Sequence, residues 1–202
     1  MKRIVVQGGG YVGAAFAVAC AKVKKNSKYP YKVSIIEKKE NINLIKKIKS
    51  GTFPFKTSDK KLQKLFSFHV NKNLHINSDI KTYKKADVVI SCISFDCSLS
   101  KKNFIKNVKI YQNNIKEIAE NISSNTLLII QTTLPPGFTN NFIKKKIIKV
   151  FKKRKISEKK ILLAHSFERV MPGANYLNSV TNNWRVCAGI NESSIKKCKI
   201  FF

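Results

Sequence analysis

Residues 3–13 read RIVVQGGGYVG. Arg3-Ile4-Val5-Val6 is a β-branched run, too short for a helix and suited to a buried strand. Gly8 to Gly13 is a turn, and from Tyr11 to about Lys24 small and apolar side chains suit a closely packed helix. The spacing Gly8-x-Gly10-x-x-Gly13 gives each glycine a task. Gly8 permits the tight turn, Gly10 lets backbone approach a pyrophosphate, and Gly13 lets the helix pack on the strand. The helix start at Tyr11 and Val12 adds unpaired N–H groups and a partial positive charge for phosphates. One glycine motif is weak by itself, but here it has the strand–turn–helix setting it requires.

The next strand is Tyr31 to Glu37, and it ends on the carboxylate. A carboxylate there can accept from both ribose hydroxyls and repels the extra phosphate of NADP, so NAD is the expected cofactor. Lys38 and Lys39 stand beside Glu37 and weaken that selection. The competing reading of Glu37 is a plain surface residue at a strand end.

Outward from these elements, helical spacing over Asn41–Ser50 is broken by Gly51 and Pro54. A second helical pattern covers Lys60–Val70. Leu74–Asn77 reads as a short strand, Ala86–Ile93 as a buried strand, and Phe104–Ser123 as an amphipathic helix. Thr126–Gln131 is another buried strand, stopped by Pro135-Pro136-Gly137. A lysine-laden helix over Thr139–Phe151 and a strand over Ile161–His165 follow. From Phe167 the chain reads as irregular until a last helix near Ser193. Strands apolar on both faces and alternating with helices predict a Rossmann-type, doubly wound α/β fold: a mostly parallel sheet with helices on both faces. The reading assigns residues 1–190 to one cofactor-binding domain and 191–202 to the start of a connection to a further region.

The chain has 202 residues, with 40 Lys+Arg against 11 Asp+Glu and a formal charge of +29. Such charge suits a polyanion partner. Almost all of it is lysine spread along the chain, however, together with much Ile, Asn and Phe. Arg, the residue of bidentate base and phosphate contacts, occurs at positions 3, 154, 169 and 185. Compositional drift is favoured over a specific nucleic-acid surface. No apolar run reaches the roughly 18–20 residues of a spanning helix, so no membrane partner is expected. Gly8-Gly9-Gly10 interrupts what would otherwise pass for a signal peptide. Five cysteines, odd in number and without a CxxC pair, fit a reducing, cytoplasmic setting rather than a disulfide or zinc scaffold. His69, His75 and His165 lack ligand spacing, so no metal is expected.

Five ordered segments carry a resemblance: GGGYVG (8–13), GTFPF (51–55), ADVVISCIS (86–94), QTTLPPGFT (131–139) and SFERVMPG (166–173). The chain resembles the NAD-binding N-terminal domain of nucleotide-sugar dehydrogenases, the UDP-glucose/GDP-mannose dehydrogenase family. Its ERVMPG form leans toward the branch acting on N-acetylated UDP-hexosamines. The resemblance implies two NAD-dependent oxidations that take a sugar C6 alcohol to a carboxylate, with a UDP-sugar partner and a place in polysaccharide biosynthesis. It implies that Thr133 lies close to the nicotinamide and the catalytic water. It implies that Glu168 lies near the reacting sugar, helping proton transfer, and that Ile93 and Ser94 lie in the cofactor loop after the fourth strand. An ion pair of Glu168 with Arg169 or Arg185 is the competing reading, as is a plain turn role for Thr133.

There are departures from the family pattern. The loop after the fourth strand reads Ile93-Ser94-Phe95-Asp96 and lacks the family's threonine. Phe167 replaces the proline before Glu168. A basic residue beyond the second-strand carboxylate falls to Lys38 or Lys39. The family's nucleophilic cysteine segment lies downstream of Phe202, so the expectation is a cofactor-binding portion inactive by itself. It would be completed by a separate chain or a missing half, and apolar surface would be left bare and open to self-association. Cys92 and Cys97 read as ordinary thiols. Two rival readings stand: a complete small NAD(P)-dependent Rossmann oxidoreductase of another class, and a basic nucleic-acid-binding protein. Against the first, no Tyr-x-x-x-Lys pair follows the fourth or fifth strand.

Overall fold

The computed structural model describes residues 1–70, 72–97 and 100–202. Strand β1 (Lys2–Gln7) lies mid-sheet, between β2 (Tyr31–Ile36) and β4 (Val88–Ser91), parallel to both; Val6 stands level with Ile35 on one side and Ile90 on the other. With β3 (Leu74–Asn77), β5 (Leu127–Ile130), β6 (Leu163–His165) and β7 (Ala188–Gly189), the order is β3-β2-β1-β4-β5-β6-β7. All neighbours run parallel except β6 and β7. This is the doubly wound arrangement expected from the sequence, and its order reverses between β1 and β4.

Each inner strand feeds two cores because its side chains alternate. Ile4, Val6, Val88 and Ile90 face helices α1 (Tyr11–Ala21), α3 (Lys60–His69) and α6 (Tyr176–Asn182). Val5, Val89, Leu128 and Ile130 face α4 (Lys101–Asn121) and α5 (Lys145–Lys153). α2 (Ile42–Lys49) adds Ile48 and α7 (Glu192–Phe201) adds Cys198 to the first core. α7 also contacts β5, β6 and β7. α1 carries no charged residue and is buried from Gly13 to Val18, as a helix enclosed on all sides must be.

The irregular tail expected from Phe167 is corrected by α6 and β7. α6 spans seven residues rich in Asn, Ser and Thr, so it shows no helical signal of its own. Tertiary contacts hold it instead. Asp59, itself buried, accepts from Leu62 N through Oδ1 (2.8 Å), capping α3, and from Leu177 N of α6 through Oδ2 (2.8 Å). Tyr176 donates its hydroxyl to Tyr11 O at 2.7 Å. The helix expected over Thr139–Phe151 opens with a π-helical stretch, Thr139–Lys144. α4 starts at Lys101, three residues ahead of the expected Phe104, and α1 ends at Ala21 rather than near Lys24. A 3₁₀ segment at Ile80–Lys85 carries the buried Tyr83 and was not foreseen.

Candidate functional site

The reversal of strand order leaves a cleft of about 840 Å³ beyond the C-terminal ends of β1, β4 and β5. Gly8, Gly10, Tyr11, Val12, Glu37, Lys38, Ile93, Ser94, Thr133 and Glu168 all line it. These are the residues singled out from the sequence, with the exception of Gly13. A β-carbon at Gly13 would lie 1.9 Å from the Gly8 carbonyl oxygen. Gly13 therefore serves the crossing of α1 over the turn rather than the cleft surface.

The turn is built to receive an anion. Gly8 adopts φ +94°, a conformation open to glycine. Gly10 caps α1 with no side chain, and the first helical bond runs from Ala14 N to Gly10 O. The N–H groups of Tyr11, Val12 and Gly13 thus have no helical acceptor. A β-carbon at Gly10 would meet no atom within 4 Å, because it would point into the cleft.

Glu37 reaches from the end of β2 toward this turn. Its Oε2 accepts from Gly9 N at 2.7 Å, and its Oε1 accepts from Lys38 N and Asn41 Nδ2, both at 2.9 Å. These bonds fix the carboxylate's orientation at the cleft edge, so the strand-end surface reading is replaced by a half-buried group with structural partners. The Lys38 side chain lies exposed on the rim. On the near side Tyr11 stacks on Phe55, with ring centroids 3.8 Å apart. That contact explains why GTFPF belongs to the site's surroundings, which sequence reading left without a role.

The far wall comes from the loops after β4, β5 and β6. Thr132 donates through Oγ1 to Ile93 O at 2.6 Å, joining the first two loops. Glu168 N donates to Gln131 O at 3.2 Å, joining the second and third. His165 braces the threonine turn from beneath, with Nε2 on Thr132 O and Nδ1 on Thr139 Oγ1, both at 3.0 Å. Burial lowers its pKa below the usual histidine value, which favours the neutral ring. Thr133 is exposed to the cleft.

Glu168 is engaged. Its Oε2 pairs with Arg185 Nη2 at 2.9 Å, its Oε1 accepts from Arg169 N at 2.8 Å, and its side chain is 5% exposed. The ion pair with Arg185 that competed with a catalytic reading is therefore present. The Arg185 guanidinium also lies over the rings of Phe16 and Phe202 at 5.2 and 4.6 Å. Cys92, the thiol on the cleft wall, donates to Gln131 Oε1 at 3.1 Å. Burial, and secondarily the Glu168 charge, push its pKa well above the usual thiol value. It is held as a thiol, not as the thiolate a nucleophile requires.

The sequence pattern of the UDP-glucose/GDP-mannose dehydrogenase family, NAD binding domain, matches residues 2–200. The chain belongs to this family. It is 33% identical, over 98% of its length, to UDP-N-acetyl-D-mannosamine dehydrogenase of Methanocaldococcus jannaschii, and covers 41% of that protein. Over 71% of its length it is 34% identical to UDP-glucose 6-dehydrogenase of Campylobacter jejuni. The crystal structure of NDP-N-acetyl-D-galactosaminuronic acid dehydrogenase from Methanosarcina mazei shares the fold with a TM-score of 0.81, at 23% identity and with 98% of this chain covered. The chain is thus an NAD-binding domain of the nucleotide-sugar dehydrogenase family, and it spans 41% of the length of the Methanocaldococcus jannaschii relative. Among the described residues no helix is long and apolar enough to cross a membrane, and no cluster of ligands could hold a metal.

Proposed function

We propose that this domain holds NAD for the oxidation of the C6 alcohol of a UDP-linked N-acetylhexosamine to a carboxylate. The observation that carries the reading is the empty space at Gly10 beside three N–H groups without helical acceptors. The pyrophosphate rests on the Gly8–Gly13 turn, and the adenosine ribose sits at Glu37 with Lys38 beside it. The dinucleotide then crosses toward Ile93, Ser94 and Thr133. When bound, NAD supplies the hydride acceptor.

Thr133 is suited to hold a water or a sugar oxygen at the cleft wall. Glu168, tied to Arg185, serves better as a fixed negative acceptor that orients the reacting region than as a mobile proton carrier. The substrate class follows the named relative, which acts on UDP-N-acetyl-D-mannosamine. Five free thiols support a cytoplasmic setting. The +29 charge does not gather at the cleft: five of the eleven acidic residues (Glu37, Glu40, Asp96, Glu117 and Glu168) line it or the adjoining recess. That placement favours a dinucleotide site over a polyanion groove.

Titration calorimetry with NAD and NADP tests the cofactor reading. NAD is expected to bind more tightly, and Glu37→Ala to lose about 1–3 kcal/mol of NAD affinity, the scale of bonds to a charged acceptor. A parent protein that prefers NADP would overturn the role given to Glu37. The second test follows NADH absorbance with a panel of UDP-sugars. The 202 residues by themselves are expected to show no turnover, because the thiol in the cleft is protonated and hydrogen-bonded to Gln131. Robust sugar-dependent NADH production would give Cys92 a catalytic role instead.

A further inference from the structure

One face of the sheet is left partly bare. The connection from β3 to β4 is a six-residue 3₁₀ segment, Ile80–Lys85, where a doubly wound fold usually places a full helix. The two faces of β2 and β3 differ accordingly. Val33, Ile35, Leu74 and Ile76 are buried against α1 and α3. Lys32, Ser34, His75 and Asn77 alternate with them and line a recess of about 450 Å³ on the other face. Lys32 stands level with Arg3 of β1, and Ser34 level with His75. The 3₁₀ segment adds a second rim that carries Lys81 and Lys85. This recess shares no lining residue with the cofactor cleft.

The recess is rich in donors and poor in acceptors. None of Arg3, Lys32, Lys81 and Lys85 is in an ion pair among the described residues. Ser34 Oγ and the His75 ring make no hydrogen bond among the described residues. Asn77 Oδ1 accepts from Asp79 N at 2.9 Å and from Thr82 Oγ1 at 3.2 Å, which leaves its Nδ2 as a donor. Asp79 is the one carboxylate in the lining, and its Oδ1 accepts from Lys81 N at 2.9 Å. Asp87 lies outside the lining and accepts through Oδ2 from Arg3 N at 2.7 Å. Drift toward lysine accounts for scattered surface charge. It does not account for an arginine beside Lys32, nor for a polar floor of Ser34, His75 and Asn77 beneath four cations.

We propose that this recess is a second anion site, taking a small ligand that carries two linked phosphate groups. Four cations against one carboxylate leave three positive charges to be met. A phosphate group brings about −1.5 to −2, so a linked pair meets that charge and a single group does not. Arg3 offers a planar fork to phosphate oxygens and the lysines offer point charges. Ser34 and Asn77 add neutral donors from the floor. The concave shape and modest volume suit a small molecule. His75 reports on the site: burial, and secondarily the Lys32 charge, lower its pKa below the usual histidine value, so an anion seated beside it should raise that pKa.

The probe is inorganic pyrophosphate, added to the 202-residue chain and followed by calorimetry and by NMR titration of the His75 ring. Pyrophosphate should raise the His75 pKa. It should bind about tenfold more tightly than inorganic phosphate, the scale of one further charge-assisted hydrogen bond. Arg3→Gln/Lys32→Gln and, from the second rim, Lys81→Gln/Lys85→Gln should each weaken it about tenfold, with thermal unfolding close to that of the parent. Lys152→Gln/Lys153→Gln removes the same charge from α5. It should change the affinity by less than about twofold, because distant exposed charges are screened. Gly10→Val, which alters the glycine turn, should leave the His75 response intact. An unmoved His75, an equal loss in the α5 variant, or equal affinity for inorganic phosphate would overturn the site. A His75 response lost in Gly10→Val would assign the anion to the cofactor turn and overturn it too.

Discussion

Gly10→Val is expected to abolish NAD binding and leave the domain folded. A β-carbon at this position has no atom of a more distant residue within 4 Å. The added side chain fills the volume through which a pyrophosphate would approach the start of α1. Calorimetry should show no heat of NAD binding, while thermal unfolding stays close to that of the parent. Equal NAD affinity in the variant would remove the phosphate from this turn. Gly13→Val provides the contrast. Its β-carbon would fall 1.9 Å from the Gly8 carbonyl, so the loss there should be of the folded protein itself.

Arg185→Met should be the most damaging change away from the turn. It leaves the Glu168 carboxylate, 5% exposed, without its countercharge and takes away the cation between two phenylalanine rings. Breaking a buried pair from one side costs about 3–5 kcal/mol. For a chain of this size that lowers Tm by roughly 6–20 °C. The double variant Arg185→Met/Glu168→Met should recover much of the loss, because no buried charge is then stranded. A single variant as stable as the parent would show that Glu168 is solvated and free for other work.

Much of this site was legible in the sequence because local rules govern it. A β-branched run, three spaced glycines and a carboxylate closing the next strand need no distant partner to be recognised. Ile93, Ser94 and Thr133 came instead from the family resemblance of ADVVISCIS and QTTLPPGFT, not from a local rule. What escaped notice depends on contacts across the fold. α6 has no apolar stripe and exists because Asp59 and Tyr11 hold it. Tyr111 stands on an amphipathic helix, and only the packed structure sets its ring edge-on against Phe95 and Phe138. Gln131 stood in a quoted motif, but its bond from the Cys92 thiol joins loops that follow two different strands. The pairing of Glu168 with Arg185 was open until the loops were placed, since Arg169, the next residue, was the nearer candidate in sequence.

The bond from Tyr176 to Tyr11 spans 165 residues, and that from Leu177 to Asp59 spans 118. α1 has no polar face, so it is shielded from water only after α6 arrives. On a ribosome adding about 5–20 residues per second, that interval lasts roughly 10–30 s. During it the central strand β1 and its all-apolar helix must wait with part of their surface bare. The nascent chain therefore meets its greatest aggregation hazard before completion, and the dense positive charge of α2, α3, α4 and α5 is well placed to keep such chains apart. A substitution that loosens α6 would then be read out as poor yield of soluble protein before it appeared as lost cofactor affinity.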